Sequence, residues 1–406
     1  MHHLEREVTG GVDTHSEQHV AAVVDEAGRI LGTEAFPATG KGYRQLLSWM
    51  GSYGCLVKVG VEGTGSYGAG LARYFSDESV TVVEVNRPNR QARRRRGKSD
   101  TTDAEAAARA ALNGEATGTP KSADGPAEAL RALRVARRSA VKARTQAANQ
   151  LRDLMVTAPE ELRVKMRGLR TQERVAICAR LRPGSYLEPN EATKAAMRCL
   201  ARRHQELTVE IEDLDAVIAP LCHHANPALL SALGVGPEVA SALLVAAGDN
   251  PDRMHSEGSF ASLCGSSPVE ASSGKVTRHR LNRGGNREAN NALWRIVMVR
   301  LACDNRTQIY ADRRRAEGKS KKEVLRCLKR YVAREVYYLL VSPPVITDVA
   351  ELRERRVANG ITLATVAAQL GTWASRVSAL ERGLTHNQDL AHRYRDWLDD
   401  RARLSA

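Results

Sequence analysis

Within the first 85 residues, extended apolar runs and helical stretches follow one another in an order that few folds share. Val8 to Val12 reads as a strand closing on Asp13, and His19 to Val24 as a second strand. Asp25-Glu26-Ala27-Gly28 makes the turn into a third strand over Arg29 to Phe36. Lys41 to Met50 has helical spacing. Leu56 to Val61 reads as a buried strand, and it ends at Glu62. Gly63-Thr64-Gly65 breaks the chain before a helix over Ser66 to Phe75, and Val80 to Val85 is the next strand. A three-strand meander followed by alternating helix and strand predicts a mixed sheet with helices on its faces.

That order is the RNase H-like one, and it gives the carboxylates places. Asp13 ends the first strand, and Glu62 ends the fourth, which lies beside the first in that fold. Lys98-Ser99-Asp100-Thr101-Thr102-Asp103-Ala104 then opens an alanine-rich helix. If that helix has begun by Asp100, Asp100 and Asp103 share one helical face. The bland alternative is a cap, with Asp100 or Thr101 at the N-cap and Asp103 favouring the helix dipole. Any one of these acids is more often a turn or cap residue. Four at these topological positions suit two Mg²⁺ ions about 3.5–4 Å apart, which serve in-line displacement at a phosphate. Arg93, Arg94, Arg95, Arg96 and Lys98 precede the pair and suit a phosphate backbone.

Composition narrows the partner. The chain has 406 residues and a formal charge of +14, enough length for two or three domains and a charge that points to a polyanion. No apolar run spans a bilayer, and the first residues lack the apolar segment of a signal peptide, so a cytoplasmic protein is expected. The seven cysteines are scattered without a CxxC pair, against a disulfide framework and a structural zinc site. Cys222-His223-His224 reads as a helix end. Aromatic residues are 4% of the chain, so backbone contacts should outweigh base stacking.

Taken together, GVDTH at 11–15, VEGTGSYG at 61–68 and KSDTTDA at 98–104 resemble the DEDD transposases, or recombinases, of bacterial insertion sequences whose target is set by a bridge RNA. The related Piv-type invertases share this domain. The resemblance implies a RuvC-like nuclease domain over 1–118 with a tetrad of Asp13, Glu62, Asp100 and Asp103. It also implies DNA and a guide RNA as partners. Composition and spacing alone give a metal-dependent phosphoryl-transfer enzyme.

Residues 116–125 read as a linker, and a helical region follows over 126–225. Leu130, Leu133, Ala136, Ala140, Ala147, Leu151 and Leu154 form a stripe on its first helix. Leu200, His204, Leu207, Ile211, Leu214 and Ile218 form a heptad seam on another. An intramolecular hairpin and a dimer contact both fit that seam. The resemblance favours assembly, as a homodimer or homotetramer.

Residues 226–342 are expected to form a helical transposase domain. Two short apolar helices flank Gly234-Val235-Gly236-Pro237, like a helix-hairpin-helix whose glycine turn approaches a DNA phosphate, though a packed helical hairpin is a serious rival. Further on, Pro268 is followed by Ser272-Ser273-Gly274, Lys275, Arg278, Arg280 and Gly285-Asn286. This resembles the second domain of the same transposases. The resemblance makes Ser273, with Ser272 as the near alternative, the nucleophile that joins DNA covalently. Lys275, Arg278 or Arg280 would offset transition-state charge. The family usually carries Leu-Arg where this chain has Ala289-Asn290, so the phosphate contact made there would be absent or supplied by Arg287 or Arg295.

Pro343-Pro344 marks a boundary, and 345–406 resembles the helix-turn-helix of Cro/repressor-type regulators. Thr362 to Leu370 would be its first helix. Trp373 to Leu380, carrying Arg376, would enter the major groove. A helical module for protein contacts is the plain alternative. The whole reads as α/β plus all-α, and as an insertion-sequence transposase or recombinase. Its rivals are a junction-resolving metal nuclease that uses water, and a DNA-binding regulator with an inactive core.

Overall fold

A computed structural model of the chain describes residues 6–85, 99–274, 279–344, 349–383 and 387–405. Its contacts divide the chain into two units, Met1–Ala123 with Asn250–His255, and Asp124–Asp249 with Ser256–Ala406.

The first unit runs β1 (Glu7–Thr14), β2 (Gln18–Asp25), β3 (Ile30–Pro37), α1 (Gly40–Gly51), β4 (Cys55–Glu62), α2 (Ala69–Asp77), β5 (Val82–Val85) and α3 (Asp100–Leu112). The strands form one sheet in the order β3-β2-β1-β4-β5. β1 pairs antiparallel with β2 and parallel with β4. This is the meander and crossover that the sequence predicts, with β1 at the centre. β1 and β2 are buried along nearly their whole length, while the edge strand β3 is largely open.

Helices cover both faces. On one, Leu46, Met50, Leu71 and Phe75 pack on Val8, Val12, Val59 and Val61, and each fully buried side chain of this size contributes roughly 2 kcal/mol. On the other lies α3, whose buried residues are alanines and Asp103. Two glycines let that helix settle onto the strands. A Cβ on Gly11 would lie 2.1 Å from the Ala108 nitrogen and 2.4 Å from the Ala104 oxygen. One on Gly60 would lie 2.5 Å from the Ala107 oxygen. Backbone therefore rests on backbone, and the first turn of α3 is held over the end of β1.

The α3 cap corrects one expectation. Ser99, in extended backbone, is the N-cap, and its Oγ accepts from the Thr102 N–H at 3.2 Å. Neither Asp100 nor Thr101 caps; both Asp100 and Asp103 sit in the first turn. A serine hydroxyl satisfies the orphan donor, so the carboxylates are spared that task.

The stretch expected as a linker is tied down within the first unit. The Glu84 N–H donates to the Gly118 carbonyl, and the Asn250 side-chain amide donates to the Pro120 carbonyl at 2.9 Å. Arg253 donates to the Thr119 carbonyl at 2.9 Å. A Gly/Pro-rich strap cannot pair with itself, but its carbonyls still accept.

The second unit begins with α4 (Pro126–Thr157), α5 (Glu160–Met166), α6 (Thr171–Ala179) and α7 (Pro189–Ala225). α4 and α7 form an antiparallel hairpin: Arg137 donates to Asp215 near one end, and Leu151 packs with Met197 and Ala201 towards the other. The heptad seam faces this hairpin, with Ile211 and Ile218 buried. The chain thus supplies a partner for its own seam. Next come α8 (Pro227–Ser231), α9 (Pro237–Ala247), α10 (Glu257–Leu263), the two-residue strands β6 (Val269–Glu270) and β7 (His279–Arg280), α11 (Arg287–Cys303), α12 (Asn305–Ala316) and α13 (Lys321–Val341). Cys222 to Ala225 does close a helix, α7. Buried Arg134 anchors α4 by donating to the Glu238 carbonyl at 2.9 Å and pairing with Glu288 at 3.0 Å.

Four helices complete the second unit: α14 (Val349–Ala358), α15 (Leu363–Gln369), α16 (Ala374–Glu381) and α17 (Gln388–Ser405). They close on Val366, Val377, Leu380 and Tyr394. Buried Glu381 accepts from the Tyr394 hydroxyl at 2.8 Å and from Arg356. No helix among the described residues is long and apolar enough to cross a membrane.

Candidate active site

Strand alternation puts Gly11 and Asp13 on one face of β1, and His15 follows just past the strand's end. Gly11 admits α3, and Asp13 and His15 meet its first turn. His15 Nε2 lies 3.1 Å from Asp13 Oδ2 and 3.4 Å from Asp100 Oδ1. Each of the three offers a ligand atom, and those atoms lie within 4.8 Å of one another. Burial pushes the Asp13 carboxyl above the usual carboxylate range. His15 pulls it back, and the Asp103 and Asp100 carboxylates raise it further. A cation would relieve this crowding, and oxygen donors beside an imidazole fit a divalent ion.

Asp103 is buried one helical step beyond Asp100, within electrostatic reach of Asp13. Glu62 ends β4, the strand beside β1, and its carbonyl accepts from the Thr14 hydroxyl at 2.8 Å. Of the four expected acids, Asp13 and Asp100 are therefore in the convergent cluster, Asp103 adjoins it, and Glu62 stands at the neighbouring strand end. His15 was not expected. Its signal was present in GVDTH, where it follows Asp13 by two positions.

In the second unit, Ser273 and Gly274 are exposed between β6 and β7, which pair Val269 with Arg280 and Glu270 with His279. Gly274 has φ +58°, a left-handed turn that favours glycine. Ser272 and Arg280 are exposed as well. Lys275 and Arg278 lie outside the described residues, as do Arg93, Arg94, Arg95, Arg96 and Lys98.

Residues 10–158 match a DEDD transposase domain of the IS110 type, described as Transposase, and residues 226–312 match the Transposase IS116/IS110/IS902 family. Two separate stretches of the chain are thus similar to transposase domains of the IS110 type. It is 35% identical over 112 residues to the Insertion element IS110 uncharacterized 43.6 kDa protein of Streptomyces coelicolor. The matched stretch is 27% of this chain and 27% of that relative.

All four acids fall within the first transposase match, and Ser273 falls within the second. Residues 313–406 lie beyond both. Within the second matched stretch, Gly234 has φ +87°, and a Cβ there would meet the Ile296 backbone of α11 at 3.2 Å. Its freedom serves the turn and the packing of the α8–α9 hairpin. Gly236 is the N-cap of α9 with open space around it. Near Ala289 and Asn290, Arg295 sits 3.8 Å from Glu238, whereas Arg287 lines an open cavity with Asn290, Trp294 and Lys329. Arg376 is exposed on α16, close to the N-cap Trp373, which is 76% exposed.

Proposed function

We propose that this chain is a transposase that cuts and rejoins DNA at insertion-sequence ends through a covalent serine–DNA intermediate, working in the bacterial cytoplasm. What supports this most is the convergence of Asp13, His15 and Asp100 where α3 rests on the Gly11 backbone. Asp13, Glu62, Asp100 and Asp103 are the residues to hold a pair of Mg²⁺ ions, with His15 beside them. Bound Mg²⁺ supplies positive charge to the scissile phosphodiester. The chain's own groups do the rest. Asp13 is kept dry by burial and oriented by His15. The Ser273 oxygen bonds to phosphorus as one bridging P–O bond breaks; the hydroxyl proton passes to solvent, and the departing sugar oxygen takes one up. A sugar hydroxyl from another DNA end then reverses the step and frees Ser273, so the phosphodiester is conserved. Arg280 offsets transition-state charge in this reading, a role that the sequence also suggests for Lys275 and Arg278.

A bridge RNA guide and assembly as a homodimer or homotetramer complete the proposal, and a charge of +14 suits both nucleic acids. The α15–α16 pair is a helix-turn-helix in this reading, with Arg376 directed to DNA.

The decisive test incubates the protein with end-labelled insertion-end DNA, its co-purifying RNA and Mg²⁺, and scores a denaturation-resistant protein–DNA adduct. Ser273→Ala should abolish the adduct, and Ser272→Ala should keep it. Cleavage that persists in Ser273→Ala without any adduct in the parent protein would make the chain a water-using nuclease instead.

A further inference from the structure

Lys329, on α13, is only 8% exposed. Its ammonium donates to Asn290 Oδ1 at 3.0 Å, a neutral amide. Among the described residues, no carboxylate pairs with it. Burial and Arg326 both push its pKa down. Other buried or half-buried cations of the same unit are matched: Arg134 by Glu288, Arg300 by Glu335, Arg356 by Glu381 and Arg330 by Glu257. A buried cation left without an anion is costly, so its missing partner is informative.

The surroundings say what the partner is. Lys329 lines a cavity of about 470 Å³ together with Arg283, Arg287, Asn291 and Trp294. Neither arginine has a carboxylate partner among the described residues, and the adjoining stretch Lys275 to Arg278 contains no acid. Asn290 is locked, because its side-chain N–H groups donate to the Cys264 and Gly265 carbonyls at 2.7 and 3.1 Å. Its oxygen is thereby fixed on Lys329, and the remaining ammonium donors are free to meet a ligand. Trp294 is 42% exposed, an indole lining the same cavity as the three cations. Cations plus an open aromatic face are the chemistry of a nucleotide: phosphate on the charges, base on the ring.

We propose that this cavity seats one unstacked nucleotide of a single-stranded polynucleotide, its phosphate on Lys329 and Arg287 and its base against Trp294. The inference rests on the reading of this chain as a nucleic-acid enzyme, and it adds a site that neither the tetrad nor Ser273 supplies. Arg283 extends the cationic line from the cavity along the loop before α11, which suits a polymer backbone over a free nucleotide.

The test uses the full chain, freed of co-purifying nucleic acid, and fluorescein-labelled oligothymidylate, oligouridylate and a duplex of the same length, read by anisotropy over a salt series. Lys329→Met should weaken single-strand binding about tenfold and lower the log K against log salt slope by about 0.7, the single-strand value for one phosphate. Its melting temperature should hold or rise, since an unpaired buried charge has been removed. Trp294→Ala should weaken binding about tenfold through lost stacking and leave the salt slope unchanged. Arg287→Gln, at the start of α11, should reproduce the slope change without touching the buried amide network. Deoxy and ribo strands binding equally would assign the contact to phosphate and base alone; a preference for one names the strand that occupies the site.

A fall in Lys329→Met stability with binding retained would make Lys329 a structural donor and overturn the proposal. So would a duplex bound as tightly and independently of Trp294, or an oligoglutamate competing as well as the oligonucleotides. The Ser273 adduct is scored in parallel. An adduct with Lys329-independent binding breaks this inference alone. Lys329-dependent binding with no adduct breaks the serine mechanism alone.

Discussion

The acidic corner of the first unit and the cationic cavity of the second are built by opposite means. In the corner, main chain rests on main chain: Gly11 and Gly60 admit α3, and the spacing of Asp13 and Asp100 follows from that contact. In the cavity, side chains from a loop and two helices meet, and one locked amide, Asn290, sets the register. The corner crowds carboxylates around one imidazole. The cavity gathers cations around one indole. Other buried cations among the described residues are paired within the fold, Arg134 with Glu288 and Arg356 with Glu381. Like charge concentrated in a held geometry marks where a ligand completes the protein.

The largest effect that separates the two regions is on chemistry. Asp13→Asn should lower strand cleavage on the order of 10³-fold or more, measured on labelled insertion-end DNA. Its melting temperature should hold or rise, because burial and the Asp103 and Asp100 carboxylates already disfavour charge at that position. Chelating Mg²⁺ should mimic the loss of cleavage in the parent protein yet leave oligothymidylate binding unchanged. If chelation abolished both, the corner and the cavity would not be separate sites. If Asp13→Asn cleaved normally, the corner would have no catalytic part.

The corner was far more legible in the sequence than the cavity, for a physical reason. Strand and helix periodicity is local, so β1 to β5 and the positions of Asp13, Glu62, Asp100 and Asp103 follow from patterns read over short windows. His15 was missed although it follows Asp13 by two positions, because a lone histidine past a strand end is ordinarily a turn residue. Ser99 was missed as the cap because acids beside it cap equally well on paper. Lys329 was invisible. It stands in an amphipathic helix among Arg326 and Arg330, where a lysine ordinarily faces water. Only its packing distinguishes it, and packing joins residues 39 positions apart. The strap at 118–122 was hidden likewise, since its donors, Asn250 and Arg253, arrive from a distant stretch.

A smaller effect tests the main-chain contact itself. Gly11→Ala should destabilise the first unit by about 2 kcal/mol or more, because a Cβ cannot occupy space 2.1 Å from the Ala108 nitrogen without moving α3. Cleavage should fall beyond the loss of folded protein, since moving α3 moves Asp100 away from Asp13. Gly51→Ala is the control in the same unit: nothing lies within 4 Å of its added Cβ, and it should be neutral or stabilise by about 0.5 kcal/mol. Chemical unfolding gives both values. Equal stabilities for the two variants would remove main-chain packing as the cause of the corner's geometry.

The smallest effect is on acid stability, and it turns on a carboxylate in the same sheet that behaves oppositely to Asp13. Asp25, at the end of β2, is held down to about 2 by the Arg29 N–H and by the guanidinium groups of Arg29 and Arg6. Its ordinary value lies near 3.9. The folded form thus holds the charged carboxylate better than the unfolded form does. Its contribution is fully present above the ordinary value and is lost as pH falls from about 4 towards 2. Stability of the parent protein should therefore decline over that window more steeply than that of Asp25→Asn, which has no proton to gain there. Arg6→Gln should recover part of the difference, because it removes one of the groups holding the carboxylate charged. Identical acid profiles for parent and Asp25→Asn would mean that the β2–β3 turn does not hold this charge, and that the contrast with Asp13 is one of burial alone.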